Sequence, residues 1–254
     1  TNGSHGCINT PYKEVSKLYD MVEIGKVIME KGYDFYVQPM ITLRYTDAEL
    51  IDLIELVNKE LPNAAGFYIV DSFGEMRPND MTRILNLVDH NLRKEMTLGF
   101  HSHNNLQMSY SNAVALLQFP TNRNLMLDSS IMGMGKGAGN LNTELLLEHL
   151  NLYYGKQYKI SPLLEVIDKV INQLHDEYYW GYAVEYYLSS ANHCTPSYAS
   201  HFYNKHMLPI DQVGELLSLI DDLNNRQDIH GILLQSPIPK KLDINQAFNK
   251  IDYR

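Results

Sequence analysis

The sequence predicts an α/β fold: a partial TIM (β/α) barrel with parallel strands, followed by a helical C-terminal region. Three observations carry this reading. Four β-type runs recur at near-constant spacing, each run is followed by an amphipathic helical pattern, and each run ends in polar residues. The runs are residues 34–40 (DFYVQPM), 66–71 (GFYIVD), 96–100 (MTLGF) and 124–128 (NLMLD), and their starts lie 32, 30 and 28 residues apart. A repeat of about 30 residues is the length of a strand plus the helix that covers it.

The helices follow in order. Thr46 and Glu49 form a capping-box signature. Leu50, Ile54, Val57 and Leu61 then recur at helical period. Pro78 suits a first helical turn, and Met81, Ile84, Leu85, Val88 and Leu92 continue that face. Leu106, Ala113, Leu116 and Leu117 mark a third helix, and Leu141, Leu145, Leu146 and Leu150 a fourth. After Gly155 the pattern is helical only, with Ser161 and Pro162 opening a helix that carries Leu164, Ile167, Ile171 and Leu174. The polar ends are Gln38, Asp71-Ser72, His101-Ser102-His103 and Asp128-Ser129-Ser130. Polar residues at the C-terminal ends of strands mark the active face of a (β/α) barrel. Doubly wound sheets also bind ligands there, but no glycine-rich phosphate turn follows the first run.

Composition narrows the function classes. Lysine and arginine number 21 against 30 acidic residues, a net charge of −9, which disfavours binding to a phosphate backbone. No apolar run reaches the roughly 18–20 residues of a membrane span, and no signal peptide opens the chain. Two cysteines, Cys7 and Cys194, cannot build a disulfide framework, so a reducing, cytoplasmic setting is expected. The partners expected are a small-molecule substrate and further copies of the chain in a homo-oligomer, with no nucleic acid and no membrane.

The chemistry concentrates in two segments. His101 and His103 stand two apart at a strand end, so both imidazoles project to one side and can share a divalent metal. One unit later comes GMGKGAGN, residues 133–140, with glycines in alternation. Gly135, Gly137 and Gly139 allow unusual dihedrals and close approach of backbone to a ligand. Asn140 can offer its amide oxygen to the metal or cap the helix that begins near Leu141. As a phosphate cradle the loop lacks the Lys-Ser/Thr ending of a P-loop.

GFHSHNN followed by DSSIMGMGKGAGNLNTE resembles the HMG-CoA lyase-like superfamily, most closely its 4-hydroxy-2-oxovalerate aldolase branch. VQPM, FYIVDSFG and YYLSSANHCTPSYAS match the same branch, so the resemblance covers roughly residues 26–220. It implies a (β/α) barrel, an Mn²⁺ or Mg²⁺ ion, and cleavage or formation of a carbon–carbon bond beside a 2-oxo acid. His101 and His103 match the family's metal histidines, Asn140 its metal-approaching asparagine, and Asp71 a strand-end residue lining the site. Lys136 and Ala138 stand where the lyases carry a loop cysteine, which favours the aldolase side. The family's Arg-Asp-Gly motif, which supplies an acidic metal ligand and an arginine, does not occur. The expected site is therefore catalytic Asp71, His101 and His103, metal-holding His101, His103 and Asn140, and a glycine loop of Gly135, Gly137 and Gly139.

The two ends resemble other families. SHGCIN, from Ser4 to Asn9, is similar to the catalytic end of L,D-transpeptidases, where the residue matching Cys7 is the acyl-accepting nucleophile. Residues 219–252 are similar to methylenetetrahydrofolate dehydrogenase/cyclohydrolase, with Gln235, Pro237 and Pro239 matching its folate-lining segment. The expected organisation is a transpeptidase-like tail over 1–25, a half-barrel over 26–155, a helical region over 156–220 and a folate-enzyme-like fragment over 221–254. The expected function is a metal-dependent 2-oxo-acid aldolase or lyase, impaired by loss of half the barrel. The alternatives are a catalytically inactive chimeric half-barrel and acyl transfer through Cys7.

Overall fold

A computed structural model describes residues 15–196 and, beyond them, positions 214, 215, 218, 219 and 222; side chains are described from Val22 onward. The transpeptidase-like motif with Cys7 and the folate-like segment with Gln235 lie outside the described residues. The chain divides after Trp180 into two compact units.

The first unit is a four-stranded parallel sheet in the order β1-β2-β3-β4: Tyr36–Val37 (β1), Gly66–Asp71 (β2), Thr97–Ser102 (β3) and Leu125–Leu127 (β4). Helices Val15–Glu30 (α1), Asp47–Glu60 (α2), Pro78–Asn91 (α3), Ser109–Gln118 (α4) and Thr143–Tyr154 (α5) alternate with the strands. This is the partial barrel that the repeat predicts. Strand order equal to sequence order is what right-handed βα crossovers produce.

α2 and α3 start where their sequence says, whereas α4 starts at Ser109 and α5 at Thr143, behind Asn142 and not Asn140. Thr46 caps α2: its hydroxyl accepts from the Glu49 amide at 3.3 Å and its own amide donates to the Glu49 carboxylate at 2.8 Å. Pro78 opens α3. The faces of α2 and α3 then close over one side of the sheet, burying Leu50, Leu53, Ile54, Val57, Met81, Ile84, Leu85 and Val88 against Val37, Phe67, Ile69, Leu98 and Phe100. α1 crosses position 25 without a break, and Val22 joins this core.

The opposite side of the sheet carries Tyr36, Gly66, Tyr68, Gly99 and Met126, paired across the strands by the parallel register. Beyond α5, a helix runs from Ser161 to Glu177 as α6 (Ser161–Val166), a π-turn over Ile167–Ile171 and α7 (Asn172–Glu177). Trp180 is buried, and its indole N–H donates to the Met132 carbonyl at 2.9 Å. It therefore props the glycine-rich loop. The second unit contributes helix Val184–Ala191 (α8) to the described residues. No helix among the described residues is long and apolar enough to cross a membrane.

Candidate metal centre

β3 runs two residues further than its apolar stretch, because His101 and Ser102 pair with Val70 and Asp71 of β2. His101 is thus held in regular strand geometry and His103 lies two residues on, on the same side. The imidazole rings meet edge to face, with centroids 5.7 Å apart and planes at 81°. His103 is fixed twice more through the backbone. Its amide donates to the Asp71 carbonyl at 3.0 Å, and it forms an isolated antiparallel bridge with Asn140.

The ring nitrogens reveal what the pair can do. His101 Nδ1 lies 3.1 Å from Asp128 Oδ2, and His103 Nδ1 lies 3.2 Å from the Lys136 carbonyl oxygen. Both partners are acceptors, so each neutral imidazole carries its proton on Nδ1 and keeps a lone pair on Nε2. Metal-binding histidines are oriented by this kind of outer contact. Burial and the neighbouring His101 push the His103 imidazole down to about 4, so it is neutral at physiological pH, as a ligand must be.

Asn140 completes the arrangement. Its amide nitrogen donates to the Met134 carbonyl at 3.1 Å, while its Oδ1 is buried with no hydrogen-bond partner. A buried amide oxygen without a donor costs free energy unless something else satisfies it. Two imidazole nitrogens and one amide oxygen are a donor set that could hold a divalent cation of the Mn²⁺ or Mg²⁺ type. Among the described residues no group of three or more His, Cys, Asp or Glu side chains is placed to hold a metal ion.

Other expected site residues take different places. Asp71 stands at the end of β2, but its carboxylate faces its own turn: Oδ1 accepts from the Glu75 amide at 2.9 Å and Oδ2 from the Met76 amide at 3.0 Å. Burial pushes this carboxyl up to about 7, against the pull of the two backbone donors. In place of a free acid lining the site, Asp71 anchors the turn after β2 and, through its carbonyl, His103. That turn packs closely, since a β-carbon on Gly74 would lie 2.4 Å from the Asn105 amide nitrogen.

The glycine loop is likewise filled by the chain itself. A β-carbon on Gly135 would lie 2.6 Å from Asn140 Nδ2, and one on Gly139 would lie 2.2 Å from the Gly133 carbonyl oxygen. Gly137 and Gly139 have φ of 66° and 82°. The glycines expected as a cofactor cradle thus make room for Asn140 and its neighbours. The sequence reading missed Asp128 as the partner of His101, and Tyr68, whose hydroxyl donates to Asp128 Oδ1 at 2.9 Å. It also missed Arg44, which follows β1 at this end of the sheet; its Nε and Nη2 each donate to a Glu75 oxygen at 2.8 Å.

Comparison with known proteins agrees with this architecture. The HMGL-like family profile matches residues 8–170, and the profile of the tetrahydrofolate dehydrogenase/cyclohydrolase catalytic domain matches residues 183–254. The first match takes in most of the stretch 1–25, so the transpeptidase reading of the N-terminus gains no support. 4-Hydroxy-2-oxovalerate aldolase 3 of Cupriavidus necator is 36% identical over 128 residues, covering 47% of this chain and 37% of that protein. 4-Hydroxy-2-oxovalerate aldolase 2 of Comamonas testosteroni is 41% identical over 80 residues, covering 32% of this chain and 22% of that protein. The chain thus spans little more than a third of the length of the curated relatives it matches. Among solved structures, the N-terminal domain of a protein described as a "putative aldolase" from Bacteroides vulgatus superposes with a TM-score of 0.67 at 27% identity, over 78% of this chain and 62% of that one. Hydroxymethylglutaryl-CoA lyase of Pseudomonas aeruginosa shares the fold at a TM-score of 0.53 and 16% identity, over 63% and 55% of the two chains. From the strand-end histidines to the glycine loop and the asparagine behind it, this chain belongs to the HMGL-like family, matched over residues 8–170.

Proposed function

We propose that this chain provides the metal-holding half of an aldolase or lyase that acts on a small 2-oxo acid. One observation carries the reading: two imidazoles with their Nδ1 atoms committed to acceptors, beside a buried amide oxygen that has no donor. That set leaves two nitrogen lone pairs and one oxygen for a cation. The names of the relatives support the choice of reaction, since 4-hydroxy-2-oxovalerate aldolases align with this stretch.

His101, His103 and Asn140 would hold a divalent cation, which would supply Lewis acidity for negative charge developing beside a 2-oxo group. The chain's own residues do the rest. His103 stays neutral and keeps its lone pair. Asp128 and the Lys136 carbonyl fix the two rings. The Asp71 turn and the bridge from Asn140 fix the backbone of His103.

The test is exchange of the methyl protons of pyruvate in D₂O, followed by proton NMR with Mn²⁺ present. The expected result is exchange faster than in buffer with Mn²⁺ alone, and its loss in a variant carrying both His101→Ala and His103→Ala. Exchange no faster than the protein-free control supports the alternative of a catalytically inactive half-barrel.

A further inference from the structure

A chain of hydrogen bonds crosses three strands behind His101. Its geometry depends on Gly99, which pairs with Tyr68 in the β2–β3 register. A β-carbon on Gly99 would lie 2.4 Å from Cδ2 and Cε2 of Tyr68. The tyrosine ring therefore lies flat across β3 where any other residue would hold it off. Tyr36 stands edge-on against it, with centroids 5.9 Å apart and planes at 89°. So placed, the Tyr68 hydroxyl reaches over β3 to the end of β4 and donates to Asp128 Oδ1 at 2.9 Å. The other oxygen of that carboxylate, Oδ2, lies 3.1 Å from His101 Nδ1.

We infer that Tyr68 and Asp128 are positioning residues that hold His101 in the tautomer with a bare Nε2 and fix its ring orientation. The two oxygens of one carboxylate are divided between one fixed donor and one imidazole, so the carboxylate cannot turn without breaking a bond to the buried tyrosine. A carboxylate behind a ligand imidazole also makes it a stronger electron donor than a carbonyl does. The two histidines are therefore unequal: His101 is backed by a charge and His103 by the neutral Lys136 carbonyl. An asparagine at position 128 would have one acceptor for two donors. Either Tyr68 or His101 would then face an NH₂ group. If His101 does, its proton moves to Nε2, the nitrogen that the proposed cation site needs bare.

The consequence for metal affinity rests on the function proposed above; the tautomer does not, and it is read in metal-free protein. Long-range proton–nitrogen correlation spectra of histidine-labelled protein report which ring nitrogen carries the proton. Wild type is expected to show His101 with a protonated Nδ1 and a bare Nε2. Asp128→Asn is expected to move the proton to Nε2, wholly or in part, with the His103 pattern unchanged. Tyr68→Phe keeps the ring over Gly99, so it tests the chain even where Asp128→Asn fails to fold; its His101 signal is expected to shift toward a mixture. Calorimetric titration with Mn²⁺ should then show about 10–100-fold weaker binding for Asp128→Asn and a smaller loss for Tyr68→Phe. A wild-type His101 already protonated at Nε2, or a tautomer unmoved by both substitutions, overturns the inference. A shift as expected in a protein that binds no Mn²⁺ upholds the positioning chain and sinks the metal-site reading instead.

Discussion

Gly139→Ala is expected to weaken both the fold and the cation site, while the same substitution at Gly155 weakens only the fold. Gly139 has φ of 82°, a conformation that costs an L-residue roughly 1–2 kcal/mol. Its new methyl group would lie 2.2 Å from the Gly133 carbonyl oxygen and 3.3 Å from the Trp180 ring. Neither neighbour can yield freely. The Gly133 carbonyl accepts the Asn140 amide at 2.8 Å, and Trp180 is tied to Met132. Overpacking of this kind adds roughly 1–3 kcal/mol. The displacement falls on the site itself, because Gly139 precedes Asn140 and its carbonyl accepts the Asn104 amide just after His103. Gly155 has φ of 63° with nothing within 4 Å of its would-be β-carbon, so it bears the conformational cost alone. Urea unfolding and Mn²⁺ titration of the two variants separate the effects. Affinity at least about tenfold lower for Gly139→Ala, and unchanged for Gly155→Ala, is the expected pattern. Equal affinities would show that the loop does not position the site.

The second large effect lies at the opposite end of the strands. The Arg123 side chain is 2% exposed and makes five contacts across the junction of α3, β3 and β4. Nε donates to Asp89 Oδ1 at 2.7 Å, Nη1 to the carbonyls of Arg93 and Met96, and Nη2 to those of Asp89 and Leu92 at 3.0 and 2.6 Å. Arg123→Met would fill similar space but take the cation from the Asp89 carboxylate, leaving it the Thr121 hydroxyl, and remove the guanidinium donors from four carbonyls. Breaking one partner out of a buried pair costs about 3–5 kcal/mol; because the Asp89 side chain is 17% exposed, chemical unfolding should read a loss at the lower end of that range. A loss under about 1 kcal/mol would class the contact with surface ion pairs. The loss should also depend on pH. Burial acts to raise the Asp89 carboxyl, but hydrogen bonds from Arg123 and Thr121 outweigh it and hold its pKa below the ordinary value. A lowered carboxyl pKa stabilises the fold above the unfolded-state value and ceases to do so as pH falls through the folded value. The gap between wild type and variant should be full at neutral pH and narrow below about pH 4.

Much of this fold is legible in the sequence because its signals are local. β2 falls on the expected residues 66–71, since all six are buried and the run is bounded by glycine and an acid. β1 shrinks from the expected 34–40 to Tyr36–Val37, and Pro39, which lacks a backbone donor, accounts for its early end. β3 extends past Phe100 because pairing with β2, and not apolar character, decides where it stops. The same-side placement of His101 and His103 follows from the two-residue period of a strand. What the sequence does not give away is what each polar group faces. Asp71 is at a strand end as expected, yet its carboxylate serves two amides of its own turn. The loop glycines do permit close approach, but the approaching atoms belong to Gly133 and Asn140. Tyr68 and Asp128 are 60 positions apart, and only cross-strand register brings them together.

The most direct test of the centre is Mn²⁺ added in small amounts to labelled protein, with paramagnetic broadening read at individual side chains. The result expected is simultaneous loss of the His101 and His103 ring signals and the Asn140 side-chain amide signal, before any other histidine is affected. Broadening that spares either ring, or that falls first on surface carboxylates, would show that these three side chains do not share a cation.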